Sequence, residues 1–260
     1  MADPIRVEAT DGVVVVSLEG ARGNALSPAF IKEVSRALYK AEQLCGDVDD
    51  PKNFAVVLTG KPGIFCAGLD LKEGHALARN HLADWVDDFE ALFLQLFSLR
   101  VPVVAALNGP AIAGGAVLAF ACDERVAPLE GRFEIGLNEV ALGLPFPSAA
   151  LEIARYSVDP LQHVDVLMKG KRFERAEALD RGLVDELALD VVGAAVDRAK
   201  VYAGLGARAV QKTKADLRHN ALARARMRAI ESRRIFVESW FDPKNIALRE
   251  QTLAALQKKA

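Results

Sequence analysis

Three stretches of this chain combine the residue types that carbonyl chemistry requires. The first is Phe65-Cys66-Ala67-Gly68-Leu69-Asp70-Leu71, and the second is Asn108-Gly109-Pro110-Ala111-Ile112-Ala113-Gly114-Gly115. Each follows an apolar run and turns through Ala-Gly into a helical pattern. Glycine admits positive φ and lets a ligand approach the main chain. The first amides of a helix have no intrahelical acceptor and lie at the positive end of its dipole. Two such loops brought together would aim two N–H donors at one oxygen atom, an oxyanion hole. Taken singly, each loop is better explained as a tight turn under a closely packed helix. The third stretch, Gly136-Leu137-Asn138-Glu139-Val140-Ala141-Leu142-Gly143-Leu144-Pro145, sets a lone carboxylate among apolar neighbours. Buried beside a ligand, Glu139 would have its pKa raised towards the range of a general base; on the surface it would be a helix cap.

Other chemistries lack their signatures. The chain has no G-x-G-x-x-G after a strand, no G-x-x-x-x-G-K-[ST], no H-E-x-x-H and no G-x-S-x-G, which removes the usual dinucleotide, P-loop, zincin and serine-hydrolase sites. His75, His81, His163 and His219 are scattered without ligand spacing, and Cys45, Cys66 and Cys122 form neither a C-x-x-C pair nor an even set, so no metal site is expected. Thirty-three Lys and Arg stand against 35 Asp and Glu, a net charge of -2, which gives no global field to draw nucleic acid or anionic lipid. Cysteine usage fits a reducing, cytoplasmic setting. Residues 1–10 lack the pattern of a signal or transit peptide. The uncharged stretch Val101 to Cys122 has the length of a membrane span, but Asn108, Gly109, Pro110, Gly114 and Gly115 interrupt it, so it reads as buried strand, loop and buried helix.

The elements that must position these stretches follow from periodicity. Val13 to Leu18 and Phe54 to Thr59 read as buried strands, with a helix between them that Ser27 caps and Pro28 opens. Strand, helix, strand with so long a crossover predicts parallel pairing. A helix from about Leu82 to Leu99, a strand from Val101 to Leu107, a helix from Gly114 to Cys122 and strands near Arg125 to Ala127 and Arg132 to Ile135 repeat the pattern. Past residue 147 only helices are expected, with Asp159-Pro160 opening one and Gly182 closing another. The division is an α/β body over 1–204 and a helical region over 205–260, marked by Gly204 and Gly206.

Taken together, the blocks resemble the crotonase superfamily, the enoyl-CoA hydratase/isomerase group, over nearly the whole chain. Arg22-Gly23-Asn24-Ala25-Leu26 looks like its first CoA-binding block, Phe65 to Leu71 its F-x-A-G-x-D-L block, and Gly170-Lys171-Arg172-Phe173 through Gly182-Leu183-Val184-Asp185 its downstream blocks. The resemblance implies a crotonase-like spiral of ββα units with a C-terminal α-helical trimerisation region, assembled as a homotrimer or a hexamer of two trimers. By position it implies oxyanion donors at the amides of Leu69 and Gly114, and a base at Glu139. It implies CoA contacts at Arg22, Ala25, the Ala67 carbonyl, which matches the acceptor for the adenine amino group, and Lys72. Asp70 would brace the loop. Coenzyme A enters as part of an acyl-CoA substrate, with no permanently bound cofactor.

One departure bears on the reaction. Hydratases of this family place a water between two glutamates; the second of those positions is Glu139, and the first is Val117 here. One remaining carboxyl suits the transfer of a proton from C2 to C4 of a 3-enoyl thioester, and the Ala-Gly-Leu-Asp-Leu and Leu-Asn-Glu strings resemble the monofunctional Δ3-Δ2-enoyl-CoA isomerases. Alternatives within the family are hydration or another CoA-thioester lyase or hydrolase reaction, with Asp88 or Glu90 as an additional acid. From another class comes a non-catalytic acyl-CoA or RNA binder, for which the locally basic segment from Lys212 to Arg234 is diluted by Asp216 and Glu231. Apolar Ile230, Ile235, Phe236 and Trp240 predict that the C-terminal helices meet other copies of the chain.

Overall fold

The computed structural model describes residues 4–52 and 54–257. Strands β1 (Ile5–Thr10) and β2 (Val13–Leu18) form an antiparallel hairpin closed by Asp11 and Gly12, both at positive φ, as a two-residue turn of matching twist requires. From β2 the sheet continues in parallel through β3 (Ala55–Thr59), β4 (Val103–Ala106), β5 (Glu124–Pro128) and β6 (Glu186–Ala188), in that spatial order. Parallel strands are covered on both faces, which is why β2 and β3 read as unbroken apolar runs.

The two faces bury different residues. Val14, Val16, Val56, Leu58 and Val103 enter the larger core together with α1 (Pro28–Cys45), α3 (Arg79–Phe97) and α4 (Gly114–Ala121). Val13, Ala55, Val57, Val104 and Val126 face α7 (Val191–Val201), which adds Val191, Ala195 and Ala199. The Ser27 hydroxyl accepts from the Phe30 amide with Pro28 in the first turn, so α1 begins where its cap predicts. Helix α2 (Leu71–His75) is short and leaves the first glycine loop; α5 (Ser148–Ser157) and α6 (Arg175–Asp180) follow later.

Strands do not end at residue 147. Beyond β6, Arg172–Phe173 pairs with Ile135–Gly136, which pairs with Ala111–Ile112, in a second, three-stranded sheet. Each of these strands has two residues, too few for a period, and β6 is a half-buried edge strand without an apolar run. Asp159 caps a single 3-10 turn at Pro160–Gln162 that passes into a π turn at Val164–Met168, not a regular helix.

The C-terminal region is α8 (Ala207–Trp240) followed by α9 (Pro243–Gln257). Helix α8 is about 50 Å long at about 1.5 Å per residue, and its inner flank is held by buried charge. Asp123 accepts from Lys214 Nζ at 2.7 Å and from Arg218 Nη2 at 2.7 Å, and the Arg218 guanidinium lies 4.2 Å from the Phe97 ring centroid. Phe236 and Trp240, expected to meet other copies, are buried within the chain itself; Met227 and Ile230 are the large apolar side chains that α8 leaves most exposed. Among the described residues no helix is long and apolar enough to cross a membrane.

Candidate active site

Main-chain hydrogen bonds stitch the three chemical stretches together. The Ile112 amide donates to the Cys66 carbonyl (3.1 Å), the Cys66 amide to Pro110 (3.2 Å), and the Ala113 amide to Gly136 (2.8 Å). The first loop is joined to the Arg22-to-Leu26 block by Leu26 N–H to Gly68 (2.8 Å) and Ala67 N–H to Gly23 (2.9 Å). Two glycines are required by this closeness. Gly68 has φ +84°, and a Cβ there would lie 2.6 Å from the Ile112 oxygen and 3.0 Å from the Gly114 nitrogen; one at Gly115 would lie 2.1 Å from the Cys66 oxygen. The turn between them is strained at Ala113, a non-glycine residue with φ +50° and ψ -124°, of the kind that persists where the surroundings over-determine it.

Gly114 is the first residue of α4, and neither its amide nor that of Leu69 has a protein acceptor among the described residues. The Gly68–Gly114 contact brings these two free donors onto adjoining backbone. They are thus available to one ligand oxygen.

Glu139 opens a 3-10 turn, Glu139–Leu142, that Gly143 closes in the left-handed conformation. Its side chain is 6% exposed and Oε2 has no hydrogen-bond partner. Burial pushes the carboxyl up to about 8, opposed in small part by a bond from its own amide. Three residues beyond Gly114, on the same flank of α4, Val117 is fully buried and presents only methyl groups. Phe89 also approaches Gly114, 3.0 Å from where a Cβ would stand.

The acids suggested as additions serve other ends. Glu90 Oε1 accepts from Ser148 Oγ (2.8 Å) and from the Ala149 amide (2.7 Å), so its raised pKa, caused first by burial, belongs to the start of α5. Asp88 is half exposed and pairs with Lys32 at 3.7 Å. The Cys66 thiol, beside the first loop, donates to Asn24 (3.1 Å), and burial lifts it to about 12, far from a thiolate nucleophile.

The residues expected at coenzyme A gather on one side. Arg22, at φ +50°, reaches over to Asp70 and to Glu73 (3.1 Å), while Ala67 and Lys72 are exposed and Ala25 is buried just behind them. Asp70 Oδ1 caps α2 by accepting from the Glu73 amide (3.0 Å), a bracing contact.

Sequence reasoning missed two asparagines. Asn24, fully buried, donates to the carbonyls of Leu18 (3.1 Å) and Phe65 (2.9 Å), and Asn108 donates to Gly60 (2.6 Å). Asn24 ties the first glycine loop to the end of β2, and Asn108 ties the second to the residue after β3; the available signal was an amide side chain directly beside a glycine. Nor did it foresee that Asn245 of α9, within the expected helical region, packs against Gly143 next to the Glu139 turn.

Comparison with known proteins gives a consistent picture. The model of the enoyl-CoA hydratase/isomerase family matches residues 8–256. The chain is 34% identical over 184 residues to the mitochondrial enoyl-CoA delta isomerase 1 of Mus musculus, a match covering 70% of this chain and 62% of the mouse protein's length. It is 31% identical over 223 residues to the Homo sapiens protein of the same description, covering 85% and 72%. The crystal structure of human mitochondrial Δ3-Δ2-enoyl-CoA isomerase superposes with a TM-score of 0.89 over 98% of this chain and 99% of that one, at 29% identity.

Proposed function

Because the chain belongs to the enoyl-CoA hydratase/isomerase family, we propose that it shifts the double bond of a 3-enoyl-CoA to the 2-position. Glu139 removes a proton from C2, the electron pair moves onto the thioester oxygen, and the amides of Leu69 and Gly114 hold the resulting enolate. The same carboxyl then returns the proton to C4, so atoms and charge balance within one site. The observation that carries this reading is the Glu139 carboxyl itself: buried, without a partner for Oε2, and on a segment bonded to the second glycine loop, which is in turn bonded to the first; the position matching the hydratases' other glutamate is the buried Val117. A carboxyl held near 8 is poised to accept and return a proton near neutral pH. Its base form gains population as pH rises, so kcat/KM should climb with pH and level off above about 8.

The CoA half of the substrate would meet the Ala67 carbonyl through its adenine amino group and Lys72 and Arg22 through its phosphates, with Ala25 forming the floor between them. No resident cofactor or metal enters the reaction. We also propose self-association as a trimer or hexamer, supported by the exposure of Met227 (77%) and Ile230 (78%) on α8. Light scattering at micromolar concentration should report three or six copies; a monomer contradicts it.

Isomerisation and hydration are separated by incubating the protein in heavy water with 2-enoyl- and 3-enoyl-CoA and locating deuterium by mass spectrometry. The expected result is rapid conversion of 3-enoyl-CoA with deuterium entering at C2 and C4, and little 3-hydroxyacyl product. Val117→Glu should add measurable hydration. Hydration of 2-enoyl-CoA by the wild type at least as efficient as isomerisation of every 3-enoyl-CoA offered would overturn the reading.

A further inference from the structure

Behind the glycine-loop helix α2 lies a group of hydrogen-bond donors without acceptors. Arg249, on α9, is 1% exposed; its Nη2 donates to the Trp240 carbonyl, while Nε and Nη1 have no partner among the described residues. The Nε1 of Trp85, itself 2% exposed, is unpartnered too. The two are linked through Trp240: its ring centroid lies 4.4 Å from the Arg249 guanidinium carbon and 6.1 Å, edge-on, from the Trp85 ring. Guanidinium and indole N–H groups can only donate, and a guanidinium does not shed its proton in a protein. A buried cation left in this state is destabilising, and the adjacent carboxylate, Glu250, acts on it only through charge, without a hydrogen bond. Glu250 is 61% exposed and turned towards His75, 3.8 Å away.

The position of this group says what completes it. Gly74 of α2 is pressed against the rings of Trp85 and Trp240, and α2 starts at Leu71, two residues after Leu69. On the other side, Asn245, one helical turn before Arg249 on α9, packs against Gly143 at the end of the Glu139 turn. The donors therefore lie between α2 and the end of the Glu139 turn, each next to a segment that would hold the reacting atoms.

Resting on the isomerase reading above, we propose that the preferred substrates carry a carboxylate at the far end of the acyl chain, received by Arg249 with the Trp85 indole as second donor. An anion of two oxygens supplies the missing acceptors and the missing charge together. Arg249 is thus a specificity-determining residue, and plain alkyl chains leave it unpaired.

The test compares straight-chain 3-enoyl-CoA thioesters of six, eight and ten carbons with their ω-carboxylated counterparts, using wild type, Arg249→Met and Trp85→Phe. Circular dichroism and light scattering confirm that each variant assembles as the wild type does. The expected result is a wild-type kcat/KM at least roughly tenfold higher for the carboxylated member at one or more lengths, in line with a charge-assisted hydrogen bond. Arg249→Met should lower that ratio by about the same factor and Trp85→Phe by less. A wild type that prefers the alkyl member at every length, or a ratio unmoved by Arg249→Met, overturns the proposal. If neither series is isomerised, the isomerase reading fails. Calorimetric titration of the wild type with saturated acyl-CoA and ω-carboxyacyl-CoA then decides the carboxylate site alone, and it does so too if Arg249→Met does not fold: tighter binding of the carboxylated ligand supports it and equal binding refutes it.

Discussion

Glu139 should make the protein less stable as the pH rises, and the size of the effect follows from its burial. The folded state holds this carboxyl near 8, against 4.5 for an ordinary glutamate. Between those two values the unfolded chain has lost the proton and the folded chain keeps it. The folded state therefore binds more protons, and stability falls by about 1.4 kcal/mol per pH unit across that window. The contribution is fully present below pH 4.5 and is spent by about pH 8 to 9, for a total of roughly 5 kcal/mol. Glu139→Gln keeps the shape and abolishes the titration. Urea unfolding of wild type and Glu139→Gln at fixed protein concentration, at a series of pH values from 4.5 to 9, isolates the group by difference. The two should unfold alike at pH 4.5, and the glutamine protein should be the more stable by up to about 5 kcal/mol at pH 9. The same variant should lose nearly all C2 proton exchange while still binding acyl-CoA. A stability difference that stays flat with pH would mean that Glu139 ionises as freely as in water, and the argument for a buried base would collapse.

Two further perturbations probe the scaffold. Gly68→Ala forces a Cβ onto the backbone at Ile112 and Gly114 while imposing a left-handed alanine, so it should part the two loops and slow turnover by about 10²- to 10³-fold, the typical effect of losing an oxyanion donor; steady-state kinetics at wild-type level in an assembled protein would dissociate Gly68 from the site. Asp123→Ala leaves Lys214 and Arg218 buried without their shared carboxylate and should cost about 3–5 kcal/mol in urea unfolding; an unchanged midpoint would show that α8 is held by apolar packing alone.

What the sequence disclosed was whatever is encoded locally. The Ser27-Pro28 start of α1, the parallel β2–β3 pairing and the abrupt change from strand to helix at Gly114 each depend on signals a few residues wide. The two glycine loops and Glu139 were legible for the same reason, and the structure brings them onto contiguous backbone. What stayed hidden depends on partners distant in the chain. Glu90 looked like any acid on a helix until Ser148 and Ala149 closed on it from 58 and 59 residues away. The second sheet consists of two-residue strands whose pairing is fixed by neighbours and not by propensity. Phe236 and Trp240 seemed free for another subunit because a periodic apolar stripe does not say which surface it meets; Trp85 meets Trp240 within the same chain.

The bonds around the site run from amide to carbonyl, and this has a bearing on how the protein tolerates change over evolutionary time. Cys66, Pro110, Ile112, Ala113 and Gly136, and Leu26 with Gly68, hold one another through atoms that every residue, proline's nitrogen aside, possesses. Drift in the side chains that merely line the cavity leaves those donors where they are. On the proposed reaction Val117 would be such a lining residue: it is buried, it makes none of the stitches through its side chain, and its replacement would alter which reactant groups or waters the site admits. A saturation library at Val117 should accordingly yield folded members with differing product spectra, whereas one at Gly68 or Gly115 should yield few survivors. Inheritance in this scaffold is carried by the main chain, and chemical novelty by the handful of side chains it leaves uncommitted.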